Sequence, residues 1–187
     1  MNEVLETIYN RRSVRSYKDE QISDDVIKEI LKAGFHAANG VNMQALRFAV
    51  VSDKDKLKSY SDKGKKLYLE HMAASGYRNE YLENKLKSDM SIFFNAPTVI
   101  FVFADKTAVT ALEDASLAMG NMMLAAKSMG LGTCWIGFAA MLGNDKDFVK
   151  DTRSEGTKHL ATLIIGHPTK ESGPSERGEV QILSWVK

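Results

Sequence analysis

Three guanidinium groups and a hydroxyl fall together in the run RRSVR, as Arg11, Arg12, Ser13 and Arg15. A planar guanidinium donates two parallel, charge-assisted hydrogen bonds to a phosphate, and a neighbouring hydroxyl completes a phosphate or polyol cradle. An isolated run of this kind is more often a solvated basic turn after a helix. Further on, the loop NGVNMQ carries the amides Asn39, Asn42 and Gln44. Amides offer both donors and acceptors, so they can read a heterocycle edge that presents both. Turn formation alone would account for them equally well. The segment GLGTCWIG flanks a strand end with small residues, which lets a planar ligand approach backbone N–H groups closely. Its plainer explanation is glycine for turns and Trp135 as core. Near the C-terminus, Arg177 lies in a Gly/Pro/Ser-rich loop, where a lone arginine usually faces solvent.

Other chemistries have weaker support. Cys134 could serve as a nucleophile with His36, His71, His159 or His167 as its base. It sits, however, inside the apolar run Thr133-Cys134-Trp135, where a free cysteine is usually an inert core residue. The one cysteine excludes an intrachain disulfide and an all-cysteine metal site. His159 and His167 share no carboxylate or cysteine at ligand spacing, and His36 is one helical-face residue, so no metal is expected. No G-x-G-x-x-G follows a strand, which argues against a dedicated dinucleotide fold.

These residues need elements to position them. A length of 187 residues can bury a substantial core, and 25 Lys+Arg against 24 Asp+Glu leaves a net +1, too even for nucleic-acid or membrane binding by bulk charge. The start, MNEVLETIYNRR, is acidic before it is basic and has no apolar stretch, so no secretory signal is expected and the protein is placed in the cytoplasm. The periodicity predicts a short amphipathic helix over about 3–10, then a second capped by Ser23 with Val26, Ile27, Ile30, Leu31 and Phe35 at helical spacing. RFAVV reads as a strand. Residues 54–91 are charged and helical in composition, either an ordinary surface helical pair or a lid over a site. TVIFVFA reads as a buried strand. The strongest helix runs over about 108–129, with Gly130 placed to end it. LGTCWIG and HLATLIIG read as buried strands, with FVKDTR between them as the end of a short helix, and the tail GEVQILSWV is strand-like. Strands separated by helices indicate the α/β or α+β class.

The order of these signals is more specific than any one of them. RRSVR near the start, N-x-Q before RF, an AP-strand, a long Ala/Met helix ending in GLGTCWIG, then IIGHP and a later arginine resemble the nitroreductase family of FMN-dependent oxidoreductases. The resemblance runs from about Tyr9 to the C-terminus, and RRSxR and the block 124–137 are its most specific parts.

The resemblance implies an α+β sandwich with a central, mostly antiparallel sheet flanked by helices. It also implies a single domain over 1–187 with FMN at a homodimer interface. Arg11 and Ser13 would then contact the FMN phosphate and ribityl chain, with Arg12 beside them and Arg177 as a second phosphate clamp. Arg15 would lie near the pyrimidine edge, where a fixed cation favours the reduced, anionic flavin. Backbone N–H groups around Ile136 and Gly137 would face the N5/O4 edge, and the loop with Asn39, Asn42 and Gln44 would reach in from the other subunit. The implied cycle is ping-pong: NAD(P)H, a transient substrate, delivers hydride and leaves, and a nitroaromatic, quinone or similar conjugated acceptor takes its place. A flavin carrier or sensor without turnover is the alternative, as is a flavin-remodelling or dehalogenating member of the family. The family commonly reads P-S-x-x-N-x-Q-P-W where this chain has Ala38-Asn39 for Pro-Ser and Ala45-Leu46 for Pro-Trp. Losing both prolines loosens the loop, and Leu46 removes an aromatic wall, which bears on acceptor preference more than on FMN.

Overall fold

The computed structural model describes residues 2–170, 173 and 175–187. Four strands form one sheet: β1 (Leu46–Val51), β2 (Thr98–Asp105), β3 (Gly132–Trp135) and β4 (Thr157–Gly166), in the spatial order β1-β2-β4-β3. Every strand pairing is antiparallel. The sheet is therefore the antiparallel centre that the resemblance implied.

Strand β2 shows why the sheet lies in the middle. It carries no charge before Asp105 and is buried on both faces, as a strand covered from both sides must be. Ile100, Val102 and Ala104 point into one apolar cluster, and Val99, Phe101 and Phe103 into the other. The first cluster is closed by α2 (Asp24–Phe35) and α5 (Ala111–Ser128), through Ile27, Ile30, Ala115, Ala118, Met119 and Met122. The second is closed by α3 (Lys54–Ser75), α4 (Glu80–Lys87), a 3₁₀ segment (Gly137–Asn144) and α6 (Lys146–Thr152). The result is helices, sheet, helices.

Local signals set the helix ends. Ser23 caps α2, Asp53 caps α3, Asn79 caps α4 and Asp145 caps α6, each accepting a backbone N–H from the first turn. Gly130, at φ +76°, ends α5, and the Leu131 N–H returns to the Ala126 carbonyl at 2.9 Å. The charged stretch 54–91 is two helices, and α3 packs along the 3₁₀ segment that follows β3.

Helix α1 (Glu3–Asn10) forms where the periodicity places it and is capped by Asn2, with Val4, Leu5, Ile8 and Tyr9 left exposed. One expectation differs from the structure. The tail 175–187 forms no strand, although its sequence is strand-like. A strand exists only when an edge is offered to it, and no described edge of this chain pairs with the tail. Val180, Ile182, Leu183, Trp185 and Val186 are consequently exposed, Trp185 by 72%. Among the described residues no helix is long and apolar enough to cross a membrane.

Candidate functional site

The RRSVR run is not a loose basic turn. Arg11 caps the C-terminus of α1, its N–H donating to the Thr7 carbonyl at 3.0 Å. Ser13 then forms a parallel bridge to Thr133 of β3, and the Val14 N–H donates to the Thr133 carbonyl at 2.8 Å. The segment continues along the same side, with Tyr17 bridged to Pro168 and the Lys18 N–H donating to the His167 carbonyl at 2.9 Å. The arginines are thus carried on a short added strand at the free edge of β3. Gly132 permits the close approach, since a Cβ there would lie 2.8 Å from the Val14 side chain.

Two adjoining cavities open beside this strand. The smaller, about 90 Å³, is bordered by Arg11, Arg12, Gly132 and Thr133, together with Lys127 at the end of α5 and Lys170. The larger, about 660 Å³, lies between α1, α5 and the tail and is bordered by Arg11, Arg12, Gly120 and Arg177. Arg177 is thus brought to the arginines of the N-terminus. Lys127 and Lys170 were not singled out from sequence. Each is an isolated lysine, and only the fold turns them toward Arg11.

Arg12 is partly committed to its own chain. Its Nη1 donates to the carbonyls of Tyr9 (2.6 Å) and Arg11 (2.7 Å), so the guanidinium doubles back on the end of α1. Its Nε is buried and has no hydrogen-bond partner among the described residues, so this donor is left for a ligand. Arg15 is exposed, its guanidinium carbon 5.9 Å from the centroid of the Phe94 ring, with the Lys85 ammonium 6.0 Å from the same ring. Lys85 belongs to the helical excursion and Phe94 to the turn after it, and neither is among the residues the sequence nominates.

At the other end of β3 the two implied amides differ. The Ile136 N–H donates to the Thr162 carbonyl at 2.9 Å, which removes it as a ligand donor. Ile136 contributes a buried side chain instead. Gly137 is exposed, and the space a Cβ would take is empty. Directly after it, Phe138 packs edge-on against Tyr68 of α3, ring centroids 5.4 Å apart. Trp135 is partly exposed and is not the core residue its plainer reading made it.

The amide loop lies elsewhere. Its 3₁₀ turn (Gly40–Asn42) is bonded to the start of α5, the Gly40 N–H donating to Asp114 Oδ1 at 3.0 Å. Arg11 and Arg12 sit with Lys127 at the other end of that helix, about 20 Å away along its axis. Asn39 is half-buried, and Asn42 and Gln44 are exposed. The structure therefore does not bring Asn39, Asn42 and Gln44 to the arginines of their own chain.

Cys134 is 2% exposed, and its Sγ meets the Trp135 carbonyl at 3.5 Å rather than a histidine. His36 Nδ1 lies 2.8 Å from the Lys32 carbonyl, and His159 is enclosed by Phe101, Phe103 and Phe148. The hydrolase arrangement is absent among these residues.

A sheet layered between helices in this order has known relatives. The model of the nitroreductase family matches residues 8–159, and the chain belongs to that family. It is 31% identical over 186 residues to an FMN reductase (NADPH) of Bacillus subtilis, covering 95% of this chain and 70% of that protein. It is 28% identical over 174 residues to an iodotyrosine deiodinase of Thermotoga neapolitana, covering 91% of both chains. A nitroreductase of Desulfitobacterium hafniense solved with bound FMN superposes over 100% of both chains, with a TM-score of 0.85 and 26% identity.

Proposed function

We infer that the protein is an FMN-dependent oxidoreductase that takes reducing equivalents from NAD(P)H and passes them to a conjugated acceptor such as a nitroaromatic or quinone. The observation that carries this reading is the meeting of Arg11, Arg12 and Arg177 around one cavity. Guanidinium groups from both ends of the chain, with Lys127 and Lys170 on the adjoining cavity, suit a phosphate dianion, and the unpartnered Nε of Arg12 leaves a buried donor for its oxygens. The residues therefore fit an FMN.

Arg11, Arg177 and the Ser13 hydroxyl hold the phosphate and ribityl end. Arg15, steered by the Phe94 ring, supplies positive charge at the pyrimidine edge, where reduction builds negative charge. The Gly137 N–H would serve the N5/O4 edge of such a flavin. FMN, when bound, would supply the hydride chemistry that links NAD(P)H to the second substrate in a ping-pong alternation. Tyr68 and Phe138 wall the acceptor space, which gives α3 and α4, within one domain, the part of a lid.

Asn39, Asn42 and Gln44 serve the flavin of a second subunit. Their separation from their own arginines supports this, as do the uncovered apolar side chains of α1 and the tail. A homodimer follows. Sedimentation should give twice the chain mass, and a monomer retaining full FMN would end this part of the reading.

The direct test is the absorption spectrum of the purified protein, release and identification of its chromophore, and anaerobic addition of NADH or NADPH. Loss of the flavin band with either donor is expected. Bound FMN that neither donor reduces would instead mark a carrier or sensor. A second reading, reductive removal of halide, is favoured by the 91% coverage of both chains in the deiodinase comparison. Halide release from an iodotyrosine, with nitroaromatics and quinones left untouched, would select it.

A further inference from the structure

The loop Asn39–Gln44 has a strained backbone. Val41, Asn42 and Gln44 have φ of +44°, +57° and +49°, a region L-residues rarely occupy and a β-branched residue least of all. Its internal bonds, Gln44 N–H to Asn39 Oδ1 at 3.0 Å and Gln44 Nε2 to Asn42 Oδ1 at 3.1 Å, tie the loop only to itself. Arg47 secures its far end by donating to the Gln44 carbonyl at 3.0 Å.

The near end is held by α5. Asp114 is a carboxylate only 3% exposed, and its Oδ1 accepts the Gly40 N–H at 3.0 Å. Burying a carboxylate is unfavourable unless such bonds are made, so this contact is costly to break from either side. Gly40 lies so close to the helix that a Cβ would stand 2.1 Å from Thr110 Oγ1. Asp114 thus ties the loop to the start of α5 by one bond, at an approach to Thr110 that only glycine allows.

We propose that Asp114 is a positioning residue for the flavin site. It holds the amide loop in its left-handed conformation, so that Asn39, Asn42 and Gln44 meet the flavin edge across the subunit boundary already arranged. This rests on the reading of the loop given above, while the latch itself can be measured without flavin.

The experiment pairs amide hydrogen exchange of the apoprotein with FMN titration of wild type, Asp114→Ala and Asp114→Asn. Asparagine keeps an Oδ1 acceptor and alanine does not. Asp114→Ala should speed exchange at residues 40–44 about tenfold and raise the FMN dissociation constant about tenfold, the order of one hydrogen bond. Asp114→Asn should stay within twofold on both. Unchanged exchange in Asp114→Ala overturns the proposal, as does an Asp114→Asn variant equally loosened, which would assign the effect to charge at the helix start. Faster exchange with unchanged FMN affinity overturns the positioning role. If Asp114→Ala does not fold, Gly40→Ala serves in its place, because its Cβ must push the loop off Asp114. Unchanged exchange at residues 41–44 there is equally fatal. A wild-type protein that takes up no FMN removes the functional reading, and the exchange measurement still decides the latch.

Discussion

The ring of Tyr68 stands edge-on to that of Phe138, centroids 5.4 Å and planes 88° apart. One belongs to α3, the other to the residue after Gly137. The charged excursion is thereby joined to the strand end where the open amide lies. Such an edge-to-face pair contributes about 0.5–1.5 kcal/mol beyond its buried area.

Tyr68→Ala should lower kcat/KM for aromatic acceptors roughly three- to tenfold while leaving FMN content unchanged. Tyr68→Phe, which keeps the ring, should remain near wild type. Steady-state kinetics with a nitroaromatic and a quinone measure both, and equal loss in the two variants would assign the effect to the hydroxyl instead.

Arg11 and Arg12 should separate by assay. If Arg11 holds the FMN phosphate as proposed, Arg11→Ala loses a charge-assisted contact of about 1.5–3 kcal/mol, and FMN affinity should fall roughly ten- to 150-fold. Arg12→Ala also uncaps the carbonyls of Tyr9 and Arg11. It should lower the stability of the apoprotein by about 1 kcal/mol, read as a lower urea midpoint.

Burial among three phenylalanines pushes the His159 imidazole down from 6.5 to about 4, against the opposing pull of the Ala161 carbonyl. The folded protein keeps the ring neutral, while unfolded chains bind a proton between these two values. Stability is therefore fully present above pH 6.5 and falls as the pH drops toward 4, by up to roughly 3 kcal/mol. Urea unfolding of wild type and His159→Phe across pH 4–7 should show a shallower acid slope in the variant.

Cys134 should resist N-ethylmaleimide in the native protein and react in urea, because its thiol is buried in the apolar cluster it shares with its β4 neighbour Ile164. Flavin reduction by NAD(P)H should be unchanged by the reagent. Rapid native labelling with parallel loss of activity would restore a nucleophilic cysteine to consideration.

Much of the local architecture could be read residue by residue. Ser23 before an apolar 3.6 period starts α2, Gly130 stops α5, and an uncharged β-branched and aromatic run makes β2. Capping and periodicity act over a few residues, so they survive in one dimension. The cationic run, the amide loop and the open glycine after β3 could be nominated in the same way, by residue type and order.

Their grouping could not. Ser16 Oγ lies 2.8 Å from Thr169 Oγ1 although 153 positions separate them, and it is this long-range closure that brings Lys170 toward Arg11. The Ile136 amide is lost to Thr162 because β4 pairs alongside it, a fact of register that periodicity does not carry. The exposed face of α1 and the unpaired tail follow from which edges and faces of this chain remain free. Pairing, burial and cavity walls are relations between distant segments, settled when the sheet closes. Residue types and local spacing therefore nominate the chemistry, and the packed fold selects which of the nominated groups are left free to perform it.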